Sequence, residues 1–191
     1  MPYKNIIRFF FLILIAPLYF LYLIMKLPAR DKERLFRSFS EFLCQFPGKC
    51  GEYIRYSFYR LELKECGKDC CISYGTIFSR PSVRLGNDVY IGLYCVIGDV
   101  SIGDNTLIAS RVSIPSGRHQ HSGVDKSTTL DKQENYYQKV SIGNNTWIGE
   151  GAIVLADVGN NCIIGAGSVV VENIENDSVA VGNPAKIIKK G

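Results

Sequence analysis

A six-residue repeat is the feature that most limits what this chain can fold into. From about residue 70, an aliphatic residue recurs at steps that are nearly all six residues long, and a glycine often follows it directly. The aliphatic positions are Leu85, Ile91, Ile97, Ile102, Ile108, Ile114, Ile142, Ile148, Val154, Val158, Ile164 and Val170. This period predicts a solenoid of short strands, in which the aliphatic residues point inward and stacked coils bury a continuous apolar column.

A second column of small or β-branched residues lies four positions after the aliphatic ones. It includes Val89, Thr106 and Ser168, together with the cysteines Cys95 and Cys162. Because such inward positions are short of space, the two cysteines are expected to act as small hydrophobic residues and not as nucleophiles. The chain has seven cysteines and no CxxC pair, which favours a reduced cytosolic protein over a disulfide framework.

The first third of the chain has a different character. Residues 9–25 are apolar throughout and carry no charge, and basic residues flank them on both sides. Their length is at the lower limit for crossing a bilayer, and the heavier basic flank on the C-terminal side predicts that the rest of the chain stays on the cytoplasmic face. We expect membrane attachment through residues 9–25. Pro17 and the tyrosines allow a segment in the membrane interface as well as one that crosses.

Two helical stretches follow this segment. Residues 31–46 are predicted to form an amphipathic helix that ends at Pro47-Gly48, and Ile54, Phe58 and Leu61 lie on one side of the next stretch. The pair could pack on the main domain or rest on a membrane surface. The chain therefore divides into a helical, membrane-associated region at 1–69 and a solenoid domain at 70–191, with a C-terminal tail at 172–191.

The repeat is interrupted by one long excursion. Ile114 and Ile142 are 28 residues apart, so a loop at 116–139 is expected to leave the coil stack. Both histidines of the chain, His119 and His121, lie in it. Long excursions from a regular scaffold are usually functional, and an imidazole titrates near neutral pH. By themselves, two loop histidines could also be ordinary solvated residues.

The two columns resemble those of the hexapeptide-repeat acyltransferases. The resemblance covers roughly residues 70–190 and is most specific in VSIGNNTWIGEGAIV, IIGAGSVV and VAVGNPAKIIK. These segments are similar to the closing coils and tail of the galactoside, maltose and polysaccharide O-acetyltransferases. The resemblance implies a mainly β fold, namely a left-handed parallel β-helix with an N-terminal hydrophobic helical region and an extruded loop. It also implies a homotrimer with active sites between subunits, and acetyl-CoA as the acyl donor.

The resemblance implies a catalytic role for the loop. The sequence SGRH matches the family's S-G-x-H pattern, which implies that His119 is the catalytic base. His121 is the alternative base, or a residue that positions the loop or contacts the acceptor. Trp147 occupies the position of an aromatic residue that lines the acceptor pocket, although an indole there could also fill a groove between subunits.

The resemblance also implies cofactor contacts near the C-terminus. Gly165, Ala166 and Gly167 match a segment whose backbone pairs with the pantetheine arm, and Lys186 and Lys189 match basic positions that meet the CoA phosphates. A solvated basic tail is the other interpretation of these lysines. The family often has Thr-Lys after the last coil, but this chain has Val171-Glu172, which leaves a CoA contact there unsupported.

The expected activity is transfer of an acetyl group from acetyl-CoA to a sugar hydroxyl, on a lipid-linked or cell-surface polysaccharide precursor. Two alternatives stay open, namely N-acetylation of an amino sugar and a non-catalytic, membrane-bound scaffold. The metal site of γ-class carbonic anhydrases, which share this fold, needs three histidines where this chain has two, so no metal is predicted. A net charge of +4 and the lack of a recognised motif argue against a nucleic-acid partner.

Overall fold

The computed structural model of the protein describes residues 2–116 and 139–191. Three helices come first in the chain: α1 (Pro2–Lys26), α2 (Lys32–Leu43) and α3 (Gly48–Glu62). We call this unit the helical cap. The strands that follow in the described ranges are β1 (Glu65–Cys66), β2 (Cys71–Ile72), β3 (Ile77–Phe78), β4 (Arg84–Leu85), β5 (Tyr90–Ile91), β6 (Val96–Ile97), β7 (Val100–Ile102), β8 (Leu107–Ile108), β9 (Ser113–Ile114), β10 (Val140–Ile142), β11 (Trp147–Ile148), β12 (Ile153–Val154), β13 (Ile163–Ile164), β14 (Val169–Val170), β15 (Ser178–Val181) and β16 (Lys186–Lys190).

The strands form three parallel sheets that wind around one core. Sheet 1 has the order β1-β4-β7-β10, sheet 2 the order β16-β15-β13-β11-β8-β5-β2, and sheet 3 the order β14-β12-β9-β6-β3. Neighbouring strands belong to successive coils, and β16 is antiparallel to β15. This arrangement confirms the predicted solenoid. Its first strand begins at Glu65, slightly before the predicted boundary at residue 70.

Both columns of the repeat point into the solenoid. The aliphatic positions are fully or almost fully buried, and so are Cys95 and Cys162, as the pattern predicts. Hydroxyl groups in the small column join adjacent coils. Thr146 donates from Oγ1 to the Gly159 carbonyl at 2.8 Å and accepts from the Cys162 N–H at 3.1 Å. The small column therefore satisfies buried backbone groups as well as filling space.

One corner of the solenoid carries a ladder of Asn and Asp side chains, which we call the amide ladder. At each step, a side-chain oxygen of one coil accepts a hydrogen bond from the backbone N–H of the coil before it. The steps run from Asn87 to Asp104 (2.6 Å), Asn144 (2.7 Å), Asn160 (2.7 Å) and Asn176 (2.8 Å). The step from Asp104 to Asn144 joins the coils on either side of the long excursion, so the stack continues across it.

The helical cap packs against the first coil of the solenoid. Tyr59 of α3 and Phe78 of β3 have ring centroids 4.5 Å apart, and the Ser40 hydroxyl of α2 accepts from the Phe78 N–H. Phe36 and Phe58 are fully buried between these elements. Much of the apolar surface of α2 and α3 therefore packs inside the cap and against the solenoid, as one of the two predicted alternatives requires.

A buried arginine holds the cap together. Arg55 is fully buried, and it donates from Nε to the Ile72 carbonyl and from Nη1 to the carbonyls of Leu43 and Phe46. These acceptors lie in β2, at the end of α2 and in the turn that follows it. Since helix-terminal carbonyls lack partners within the helix, the guanidinium supplies the donors that this turn needs. Burial lowers the pKa of Arg55.

Helix α1 lies along α3 in the same direction. Phe11 stacks on Tyr53 at 5.1 Å, and Tyr22 contacts Phe58 edge-on at 5.4 Å. By length and composition, the segment Ile6–Lys26 would suffice to cross a membrane, and it is the one such helix within the described residues. Buried core helices and signal sequences satisfy the same criterion, so the segment alone is weak evidence for a membrane.

Candidate active site

Both ends of the long excursion are hydrogen-bonded to the backbone of Asp99. On the outgoing side, the Ile114 carbonyl accepts from the Gly98 N–H at 2.7 Å, and the Ser116 hydroxyl accepts from the Asp99 N–H at 2.8 Å. On the returning side, the Val140 N–H donates to the Asp99 carbonyl at 3.1 Å. One residue of the preceding coil thus closes the base of the loop, at the corner where sheet 3 gives way to sheet 1.

The predicted base and its alternative, His119 and His121, lie outside the described residues, as does most of the predicted loop at 116–139. The surroundings of the loop base are described. The Asp99 carboxylate oxygen Oδ1 is buried and lacks a hydrogen-bond partner among residues 2–116 and 139–191. Lys139 lies near Asp99, directly before β10, and partial burial lowers the pKa of this lysine.

Trp147 lies on the outer face of sheet 2, in register with the C-terminal tail. Direct cross-strand partners run from Trp147 to Ile163, from Ile163 to Val179 and from Val179 to Lys189. Cross-strand partners have side chains on the same face of a sheet. The structure therefore brings Trp147 and Lys189 to one face, about 14 Å apart at about 4.8 Å per strand. The indole is half exposed.

The segment Gly165–Gly167 forms the turn from sheet 2 to sheet 3, directly beside the tail. A Cβ atom at Gly165 would come within 2.7 Å of Val181 Cγ1, so this position has no room for a side chain. Val181 is in turn the cross-strand partner of Lys186. The antiparallel return of β16 thus brings Lys186 close to the glycine turn, and two predicted cofactor-binding elements lie together.

The backbone of this turn is partly engaged already. The Gly165 N–H donates to the Ala180 carbonyl at 2.9 Å, and the Gly167 N–H donates to the Glu150 carbonyl at 2.8 Å. Both bonds hold adjacent coils together. Within the described part of the chain, the Ala166 N–H has no such partner, and Ala166 is exposed. Ala166 is therefore the residue of the three whose N–H is available to a ligand.

Asp99 is the site residue that sequence reasoning missed. It lies between the aliphatic positions Ile97 and Ile102, where the repeat step is five residues long, and that irregular step was the available signal. Metal binding has no support in the described ranges, where no group of three His, Cys, Asp or Glu side chains could hold an ion.

The chain is similar to known proteins in sequence and in fold. Residues 139–172 match the family model described as bacterial transferase hexapeptide (six repeats). Nodulation protein L of Rhizobium leguminosarum bv. viciae is 49% identical over 111 residues, 56% of this chain and 56% of that protein. A Dictyostelium discoideum protein, named provisionally as an acetyltransferase, is 36% identical over 145 residues, 69% of this chain and 74% of that protein. The chain thus spans only about half the length of the nodulation protein.

Solved structures show the same architecture. A maltose O-acetyltransferase from Clostridium difficile 630 superposes with a TM-score of 0.66 at 27% identity, over 84% of this chain and 88% of that one. A galactoside acetyltransferase in complex with coenzyme A gives a TM-score of 0.60 at 24% identity, over 85% and 84% of the two chains, and at this identity it shows the fold alone. The fold and the sequence matches define a solenoid protein of the hexapeptide-repeat type. The chain belongs to the hexapeptide-repeat acetyltransferase family.

Proposed function

We propose that this protein transfers an acetyl group from acetyl-CoA to a sugar hydroxyl, on a lipid-linked or cell-surface polysaccharide precursor. The observation that carries the proposal is the loop base at Asp99. A continuous coil stack releases a single long loop there, and that loop contains both imidazoles of the chain. The named activities of the maltose and galactoside enzymes support a sugar acceptor.

His119 acts as the general base in this proposal. A sugar hydroxyl is a poor nucleophile until its proton leaves, and an imidazole near neutral pH can accept that proton while the oxygen attacks the thioester carbonyl. His119 then returns the proton to the departing thiolate. The acetyl group moves directly to the sugar oxygen, and no side chain of the protein is acylated. His121 is the alternative base and, in its other role, a contact for the acceptor.

The edge formed by the glycine turn and the tail is the proposed binding site for acetyl-CoA. Its support is the Ala166 N–H, which has no backbone partner in the described part of the chain. Next to it, a Cβ atom at Gly167 would meet no atom within 4 Å, so a ligand can approach the backbone there. Lys186 and Lys189 are exposed on the neighbouring strand, where ammonium groups suit the CoA phosphates. The complex of the galactoside enzyme with coenzyme A supports the choice of cofactor.

The proposed assembly is a homotrimer with acceptor sites between subunits. The support is an apolar row on the outer face of sheet 2, where Tyr90, Leu107, Trp147 and Ile163 follow one another in register. Each is at least 40% exposed. A contiguous exposed apolar row is typical of a protein interface. Trp147 would then lie where one subunit meets the next, close to the acceptor.

Attachment to the cytoplasmic face of a membrane through residues 9–25 completes the proposal. It would keep the active site near lipid-linked acceptors, and it is supported by the apolar composition of the segment and by its large exposed surface.

The direct test offers the purified full-length protein acetyl-CoA and two matched sugars, which differ by a hydroxyl or an amine at one position. We expect CoA to raise the melting temperature and the acetyl group to appear on the hydroxyl sugar. Transfer to the amine sugar alone would establish N-acetylation instead. A protein that binds no CoA and acetylates neither sugar would be the non-catalytic scaffold, and the proposed function would be wrong.

A paired variant tests the cofactor edge. Lys186→Ala/Lys189→Ala is expected to weaken CoA binding, and the wild-type affinity should fall more steeply with salt than that of the variant because the removed contacts are screened ionic ones. Equal affinities would exclude the tail from the CoA site.

A further inference from the structure

We propose that α1 lies flat in the surface of a lipid bilayer, with its exposed apolar face in the acyl chains, and does not cross the bilayer. This inference rests on the proposed membrane attachment and specifies its geometry. It identifies one side of the helical cap as a docking surface for lipid.

Polar tethers at the two ends of α1 carry the inference. Near its beginning, the Arg8 guanidinium donates to the Asp69 carboxylate at 2.7 Å, where the solenoid starts. Near its end, Lys26 and Tyr22 donate to the Glu62 carboxylate at 2.5 and 2.7 Å. The Glu62 side chain is only 4% exposed, so this second tether is shielded from solvent.

The two tethers favour a helix that does not cross. Arg8 and Lys26 are 18 residues apart, which is about 27 Å along a helix and close to the roughly 30 Å of a bilayer's hydrocarbon core. A crossing α1 would put one of these residues on the far side of the membrane. Asp69 and Glu62 belong to one folded unit on one side, so one tether would have to break and leave its charges unpaired.

The face of α1 that points away from the protein is apolar along its whole length. Its side chains are Ile6, Phe9, Phe10, Ile13, Leu14, Phe20, Leu21, Leu23, Ile24 and Met25, each at least 38% exposed. Such a face on a helix fixed along a protein surface fits the plane of a membrane. The opposite face is covered by protein, since Phe11 and Tyr22 pack on rings of α3, and α1 therefore leaves a single face for lipid.

Basic residues next to this face fit anionic lipid headgroups. An open groove of about 590 Å³ is lined by Phe20, Leu23, Ile24 and Leu27, with Lys26 and Lys32 at its edge. The exposed cations Arg30, Arg34 and Arg37 follow in the same stretch. Of the acids between them, Asp31 caps α2 and Glu33 pairs with Arg80. Apolar side chains bordered by exposed cations match an amphiphile with a negative headgroup better than they match a protein surface.

The flat orientation also keeps the loop base near the membrane. Helix α2 contacts β3, and β3, β6 and β9 are successive neighbours in sheet 3. The loop leaves directly after β9, which is two coil steps, about 10 Å, from the coil that carries the cap. The loop base therefore lies at the end of the solenoid that carries the cap, which is the end nearer to a sugar on a lipid carrier.

The test measures the depth of three tryptophans on the exposed face. Phe9→Trp, Ile13→Trp and Phe20→Trp are made one at a time in a Trp147→Phe background, so that each full-length protein has a single indole. Each is bound to vesicles of phosphatidylcholine and phosphatidylglycerol with bromine at defined acyl positions. In the flat orientation, all three indoles should be quenched at one shallow depth.

Two other patterns of quenching would overturn the proposal. A crossing helix would spread positions 9 and 20 over about 16 Å of depth, giving graded quenching. An absence of quenching at all three positions, while the wild-type protein transfers acetyl groups, would mean that a protein or a second copy covers this face. Equal shallow quenching together with a wild-type protein that transfers no acetyl group would support the lipid surface and refute the proposed function, so the two failures are distinguishable.

Vesicle flotation provides a matched pair of variants. Phe20 and Ile188 are each 65% exposed, on α1 and on the C-terminal strand respectively. Phe20→Ser should lower the affinity for vesicles about tenfold, as expected for losing one buried aromatic side chain, and Ile188→Ser should leave it unchanged. Equal effects of the two changes would contradict the proposal. Both residues are exposed, so unaltered melting temperatures would show that neither change acts through folding.

Discussion

The solenoid and the helical cap bury their interiors in different ways. In the solenoid, each coil repeats the same contacts, so that the amide ladder and the small column contribute one modest hydrogen bond at a time. In the cap, the guanidinium of Arg55 alone joins two helices and a strand. The carboxylate of Glu62 accepts the hydrogen bond from Lys26 that holds the end of α1. The solenoid should therefore tolerate the loss of any one contact, whereas the cap should not.

The largest expected effect is in the cap. Arg55→Leu would leave three carbonyl groups without their donor, and we expect it to lower the free energy of unfolding by about 3 kcal/mol. Arg37→Leu, at an exposed position of α2, should change it by less than about 0.5 kcal/mol. Urea unfolding of both variants measures the difference, and similar values would show that the buried guanidinium does not hold the cap.

Crowding between coils is expected to lower the free energy of unfolding by a smaller amount. A Cβ atom at Gly143 would lie 2.5 Å from the Asn160 backbone nitrogen, so Gly143→Ala must push two coils apart, at about 2 kcal/mol. Gly151 is the matched control, since its φ is +70° but a Cβ there would meet no atom within 4 Å. Gly151→Ala should cost about 1 kcal/mol, from backbone strain alone. Thermal unfolding that ranks the two in the opposite order would contradict the close stacking of coils.

Removing one step of the amide ladder should lower the free energy of unfolding by less than the Gly143 substitution does. Asn160→Ala deletes the oxygen that accepts from the Asn144 N–H, and we expect a loss of about 1 kcal/mol. Asn160→Asp keeps the acceptor and should recover most of that stability. If alanine and aspartate are equally destabilising in denaturant titrations, the oxygen is not the stabilising group.

The smallest expected effect concerns the exposed tether of α1. The hydrogen bond from Arg8 lowers the pKa of Asp69, so the ion pair adds stability above the unfolded pKa near 3.9 and loses it as the pH falls through the folded value. The carboxylate is 39% exposed, and solvent screening limits the effect of Asp69→Asn at pH 7 to less than about 1 kcal/mol. The difference from wild type should shrink steadily below pH 4. A difference that persists at pH 2 would exclude the ion pair as its cause.

The same contrast explains what could be predicted from the sequence. The solenoid was predictable because Ile97, Ile108 and Ile148 occupy equivalent positions, and the repeat itself encodes the contacts between coils. The cap was not, because nothing local indicates that Arg55 would be buried or that Lys26 would meet Glu62. Such pairings depend on how separate helices pack. The resemblance named Lys186 and the Gly165 turn, but only the antiparallel return of β16 shows that they are neighbours.

The loop was predictable only in part. Its existence followed from the missing repeats between Ile114 and Ile142. Its anchorage at Asp99 depends on hydrogen bonds that a repeat pattern does not specify, and only the shortened repeat step at Asp99 marked it in the sequence.

The most direct test of the account is the rate of acetyl transfer by His119→Ala, measured beside His121→Ala and the wild type, with CoA affinity and oligomeric state determined for each. We expect His119→Ala to lose the activity by a factor of about 10²–10⁴, the usual contribution of a general base, while CoA binding and the oligomeric state are unchanged. His121→Ala should keep substantial activity. Full activity in His119→Ala, with its loss in His121→Ala, would contradict the assignment of the base.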